Sequence, residues 1–319
     1  MASLDTYAGE YMKLRDWIPL DKLDQTMLYR NQCAIPIIDK NTDKVHWVAL
    51  SGNTNDISVL EKNLIEYDWL ALSGNTNAIS LLEKNLDKVG WMTLSGNLSA
   101  IHILEKNLDK VHWLILSGNE NAVHILENNL NKVSWMILSS NPSAIHILEK
   151  NLDKVDWAML SGNPRAIHIL EKNLDKVNWR TMSCNPCAIH ILEKNLDKVS
   201  WTRLSENPGA ISILEKNLGK VDWFRLSGNI NALRILKNNM DKVNWMMLSD
   251  NPNAIRLLEK NIDKVDWCML SSNPNIFTYD YAAITRELFD SGLAEGLMKN
   301  RFHPKHIDDW AGWGFDDDE

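Results

Sequence analysis

The sequence predicts an all-α fold: an α-solenoid of stacked short helix-turn-helix repeats of 22 residues, with N- and C-terminal caps. Three observations lead there. Tryptophan stands at every twenty-second position from Trp47 to Trp267, eleven times without insertion or deletion. Each period carries two apolar runs at helical spacing, the clearer being A-I-x-I-L-E-K. Helix-start and helix-stop residues bound both runs.

Residues 1–20 are expected to form the first cap, because an end unit would otherwise expose its stacking face. Tyr7, Tyr11, Leu14, Trp17 and Ile18 are available to pack there. The solenoid then spans 21–275, as eleven full repeats from Asp21 to Ile262 and a partial twelfth. The first repeat is degenerate, with Gln25 at the tryptophan position and Pro36 inside its second half. Residues 276–319 leave the period and are expected to form a helical C-terminal cap with an acidic tail. Tyr279 to Phe289 and Leu293 to Lys299 both read as helical there.

Asp241 to Ile262, DKVNWMMLSDNPNAIRLLEKNI, is the best-formed repeat. Asp241 reads as the N-cap of the first helix, with Val243, Trp245 and Leu248 on its apolar side. Glycine after the Ser in several copies (Gly52, Gly74, Gly96, Gly118, Gly162, Gly228) reads as a left-handed helix stop. Asn251 and Pro252 read as the cap and first position of the second helix, and Asn261 as its end. Helices this short are marginal alone, below about 12 residues, so stacking must stabilise them. The tryptophans are expected to do much of that, each burying about 150–250 Å². A leucine-rich repeat is the rival fold, since L-S-G-N resembles its L-x-x-N segment. Arg180 and Thr202 in a column that must then be apolar argue against it, as does the Pro after the Asn.

Composition excludes several function classes. The chain has 319 residues, 45% apolar and 24% charged, with 34 Lys and Arg against 42 Asp and Glu, a net charge of −8. Six acids fall in the last twelve residues, leaving the repeats nearly balanced. A nucleic-acid binder would show a basic face; here Glu and Lys alternate, so nucleic acid is not the expected partner. No apolar run reaches the roughly 18 residues of a membrane span, and the opening residues lack a basic n-region and an apolar core. Four cysteines make no disulfide framework, so a reducing intracellular setting is expected.

Recognition in a repeat protein is expected in columns that vary. The residue after A-I runs through His102, His124, His146, His168 and His190, a ladder of five consecutive repeats. Neighbouring helices lie about 8–10 Å apart, too far for two rungs to share a zinc ion at about 2.0–2.1 Å. Metal sites and cofactors are therefore not expected; a partner-binding strip, or a plain polar stripe, is. Arg180, Arg203 and Arg225 form a second candidate surface, basic and confined to three neighbouring repeats. The column after the tryptophan is mostly apolar, from Leu70 and Met92 to Met246, and is read as partly buried. Cys184-Asn185-Pro186-Cys187 with His190 mimics a redox or zinc motif, but lacks the βαβ context of the first and the fourth ligand of the second. No phosphate loop, nucleophile elbow or metalloprotease motif is present, so no catalysis is expected.

The repeated L-S-x-N-P-x-A-I-x-x-L-E-x-N-x-D-K-V-x-W resembles the short repeats of a large paralogous set in giant double-stranded DNA viruses of amoebae, of the mimivirus and marseillevirus kind. The opening D-W-I-P-L-D-K-L and closing N-R-F-H-P…W-G-F are similar to the ends of those proteins. The resemblance covers residues 20 to 315. Thr54, Thr76, Leu98, Glu120 and Ile230 depart from it at the Pro position. It implies a viral protein in the host cytoplasm or viral factory, or in the virion. The expected function is a non-enzymatic scaffold for a host or viral protein partner. A structural or assembly component of the virion is the alternative, and nucleic-acid association the weaker one.

Overall fold

The computed structural model describes residues 12–28, 31, 34, 51–52 and 68–292. They divide between two compact bodies, one drawn from 16–276 and the other from 1–15 with 277–319. Most of the Trp47 repeat, Pro36, Leu293 to Lys299 and the acidic tail lie outside the described residues.

The larger body is an all-α repeat solenoid. In the Trp157 repeat the first helix is Trp157–Gly162 and the second Ile167–Glu171, joined through an extended Asn163. Among the described residues no repeat contains a strand, so the leucine-rich alternative does not hold. Successive first helices lie against each other, as Trp201–Glu206, Trp223–Gly228, Trp245–Asp250 and Trp267–Ser272 do in turn. Among the described residues no two successive second helices come comparably close. The stack therefore bends with its first helices on the inside.

The first helix starts later than expected. Asp241 sits in the 3-10 turn Met240–Lys242 that leaves the preceding repeat. The cap is the residue before the tryptophan: Asn244 Oδ1 accepts from Met247 N–H, and Asp156 Oδ1 from Met159 N–H, both at 2.9 Å. Asn251 does cap the next turn, where its Oδ1 accepts from Asn253 N–H with Pro252 in the first turn. Asn261 ends the second helix by donating from Nδ2 to the Leu257 carbonyl at 2.9 Å. The glycine column is not left-handed; Gly74 has φ −83°. It serves close approach instead, since a Cβ on Gly162 would lie 3.0 Å from Thr181 Cγ2 of the next repeat.

The core corrects a second expectation. None of the described repeat tryptophans is fully buried; each is half-buried, with the lysine of the next repeat 4.8–5.2 Å above its ring from Trp69 to Trp245. The fully buried layer is Leu160, Ser161, Ala166 and Leu170 and their equivalents, with Asn163 almost as deep. Two of these are polar, and burial of a polar group is tolerated only when it is hydrogen-bonded. Ser161 Oγ donates to the Trp157 carbonyl at 2.6 Å and accepts from Asn178 N–H of the next repeat at 2.9 Å. Asn163 Nδ2 donates to the carbonyls of Ser139 and Asn141 in the previous repeat, both at 3.1 Å. Its Oδ1 accepts from Arg165 N–H at 3.0 Å. Ser and Asn thus form a buried spine that joins each repeat to the next.

The array does not end in an exposed face. The first, degenerate repeat docks on the last one. Its helix Gln25–Leu28 packs against Trp267–Ser272. Asp24 N–H donates to Ser271 Oγ at 2.8 Å, as Asp266 N–H donates to Ser249 Oγ at 3.0 Å one repeat earlier. Asn31 Nδ2 donates to the Asn273 carbonyl at 3.0 Å. Lys22 Nζ stands 4.9 Å above Trp267, the distance of Lys264 from Trp245. The first repeat takes the place that a further repeat would occupy. Trp17, expected to cap, lies 6.3 Å from the Trp267 ring in the same contact, and Ile18 is buried.

In the smaller body, β1 (Met12–Leu14) pairs antiparallel with β2 (Phe277–Tyr279), Met12 opposite Tyr279 and Leu14 opposite Phe277. Helix Tyr281–Asp290 follows, capped by Asp280 Oδ1 on Ala283 N–H at 3.1 Å.

Candidate partner-binding surfaces

The five histidines stand on the second helices, about half exposed, and each meets a glutamate of the repeat before it. The Nε2–carboxylate distances are 2.6 Å for His102–Glu83, 2.5 Å for His124–Glu105, 3.5 Å for His146–Glu127, 2.6 Å for His168–Glu149 and 2.7 Å for His190–Glu171. The partner lies 19 residues back in all five pairs, and Arg234 repeats the pairing with Glu215 at 2.6 Å. The ladder is therefore a row of staples between neighbouring second helices. The constant 19-residue offset to a Glu was visible in the sequence, but only an assumed stacking register gives it meaning.

The arginine patch is also engaged. Arg203 Nη1 lies 3.1 Å and Arg225 Nη1 2.7 Å from the two oxygens of Glu206, which replaces the glycine of other repeats. Arg225 in addition lies 5.4 Å over the Phe224 ring. Arg180 is exposed, one repeat away. Cys184 and Cys187 are free thiols. Burial pushes the Cys184 thiol up from its ordinary 9.0, against the pull of Arg203. A redox thiol needs the opposite shift.

The column after the tryptophan forms a further surface. It was expected to be partly buried; its large members are among the most exposed apolar residues of the solenoid. Leu70 is 53% exposed and Met92 52%, and Leu114, Met136, Phe224 and Met246 follow at 39–47%. They lie on the first helices, inside the bend. Successive side chains on a helix point about 100° apart, so with the tryptophan turned toward the stack the next residue faces away from it.

No family model, curated protein or solved structure matches this chain. Among the described residues no helix is long and apolar enough to cross a membrane. No group of three or more His, Cys, Asp or Glu among them is placed to hold a metal ion.

Proposed function

We propose that this chain is a non-catalytic scaffold that binds another protein along the exposed apolar row of its first helices. The recurrence of Leu70, Met92, Leu114, Met136, Phe224 and Met246 in one column carries the reading. The column runs apolar from Leu70 to Met136 and again at Phe224 and Met246, with Ala158, Arg180 and Thr202 between, and exposed apolar patches of this kind mark interaction surfaces. Methionine supplies an adaptable contact for an apolar segment of a partner. The histidine and arginine columns contribute less, because carboxylates of the chain itself already engage most of them. On the resemblance to giant-virus repeats, the partner proposed is a host or viral protein of the infected cell.

The test is Met92→Glu combined with Met136→Glu, followed by affinity capture from infected cells. Exposed positions of this kind change stability by about 0.5 kcal/mol or less, so the variant stays folded. Loss of the captured proteins is expected; recovery of the same set as the unaltered chain overturns the proposal.

A further inference from the structure

At one join the ladder sets two cations against each other, and this creates a cationic cleft. Counting 19 residues back from Arg234 gives Glu215, which holds the guanidinium through Nε at 3.0 Å and Nη2 at 2.6 Å. The same count from Arg256 gives Lys237. Every other described repeat with a complete second helix has Glu in that column, from Glu83 to Glu215 and again at Glu259. Two cations therefore stand where an ion pair would. Lys260 lies one turn beyond Arg256 on the helix Ile255–Glu259 and its cap, adding a third.

Between these repeats lies a cleft of about 490 Å³, lined by Leu233, Lys237, Asn253, Arg256, Leu257 and Lys260. No carboxylate lines it. The cleft one repeat earlier contains both Arg234 and Glu215, so its charge is balanced. None of Lys237, Arg256 and Lys260 forms an ion pair among the described residues.

From this we infer that the cleft between the Trp223 and Trp245 repeats binds a phosphate group of a small phosphorylated ligand. Three like charges around one hollow repel one another, and a multivalent anion turns that repulsion into attraction. The planar guanidinium of Arg256 suits two phosphate oxygens, while lysines add point charges. Leu233 and Leu257 offer an apolar floor for the organic part of a phosphomonoester. The volume falls within the range of small-ligand sites, about 300–1,000 Å³. This inference is independent of the protein-binding reading, since it concerns the second helices.

The experiment is calorimetric titration of the full chain near neutral pH with inorganic phosphate and, separately, phenyl phosphate. Saturable binding at one site is expected. Tighter binding of phenyl phosphate assigns the apolar floor to the ligand; equal binding assigns the phosphate group alone. Lys237→Glu restores the pairing used by the other repeats, so the variant folds, and it should weaken binding by about tenfold or more. Arg256→Gln should do the same, and Lys216→Glu, at the Lys260 position of another repeat, should not. Absence of saturation at millimolar ligand overturns the inference. So does binding that Lys237→Glu and Arg256→Gln leave unchanged.

Discussion

The side-chain amide of Asn31 donates to the main-chain carbonyl of Asn273 at 3.0 Å, across 242 residues of sequence. That separation is eleven periods of 22. The bond is the one Asn273 itself makes to Asn251, also at 3.0 Å, a single period away. An open stack of repeats frays from its ends, because an end repeat has one neighbour instead of two. Here the last repeat has its second neighbour in the first.

Asn31→Ala removes that bond and leaves the Asn273 carbonyl without its side-chain donor. That carbonyl keeps its bond from the Ile276 N–H at 3.3 Å, so the expected cost is that of a lost hydrogen bond, about 0.5–1.5 kcal/mol. Its position is more diagnostic than its size. Hydrogen exchange should accelerate in the Trp267 repeat, far in sequence from the substitution, and less in the Trp157 repeat. If protection of Trp267–Ser272 is unchanged, the docked first repeat does not stabilise the last one.

The interior spine predicts a larger effect in mid-array. Asn163 makes three hydrogen bonds through one nearly inaccessible side chain. Asn163→Leu keeps the branching of the side chain and loses all of them, including two that join neighbouring repeats. A loss of about 3 kcal/mol is expected, within the upper range for stranded buried groups. Exposed Asn128, whose Nδ2 bonds only to the His124 carbonyl in its own helix, should cost less than about 1 kcal/mol as Ala. Denaturant midpoints of the two variants compare them directly.

How much of this was legible in the sequence depends on whether a feature belongs to one repeat or to two. The period, the two helices and the Asn251–Pro252 start are properties of one repeat, and all were readable there. The roles of Ser161 and Asn163 were not, because each spends its polar atoms across a join. The tryptophans were assigned to the core on size alone. Their half-buried placement follows from the lysine of the next repeat, which needs the ring face accessible while its own ammonium stays in water. The docking of the first repeat on the last did leave a trace. The degenerate first repeat keeps Lys22, Asp24, Asn31 and Ala34, whose columns face the preceding repeat. It replaces Trp and Ser, whose columns receive the following repeat, with Gln25 and Tyr29. Without a stacking direction, that selective retention reads as mere degeneracy. The candidate surfaces were the least legible, since the apolar column and the misplaced Lys237 acquire meaning only from exposure and register.

Cys184 should be the slower of the neighbouring thiols. Desolvation raises its pKa from 9.0, so at neutral pH it holds less thiolate than an exposed cysteine. The sign for stability follows. The folded chain keeps the Cys184 proton to higher pH than the unfolded chain does. The associated stability is present below 9.0 and declines as pH rises above it. Alkylation mapped by mass spectrometry should modify Cys187 and Cys268 first and reach Cys184 only at more alkaline pH. Preferential modification of Cys184 at neutral pH would contradict the placement.

The histidine ladder offers a clean separation between stapling and recognition. Each imidazole–glutamate pair is about half exposed, so one pair contributes about 0.2–1 kcal/mol. Substituting His124, His146 and His168 together by Ser places the residue of Ser80 and Ser212 at three further repeats, a choice the fold already accommodates. The melting temperature should fall modestly and additively, because no single carboxylate is shared between two of the histidines in close contact. Partner capture should persist, since the apolar row on the first helices is untouched. Capture that disappears while the melting temperature holds would move recognition to the second helices. The histidines would then be contact residues for the partner, and the glutamates behind them would serve to orient the rings.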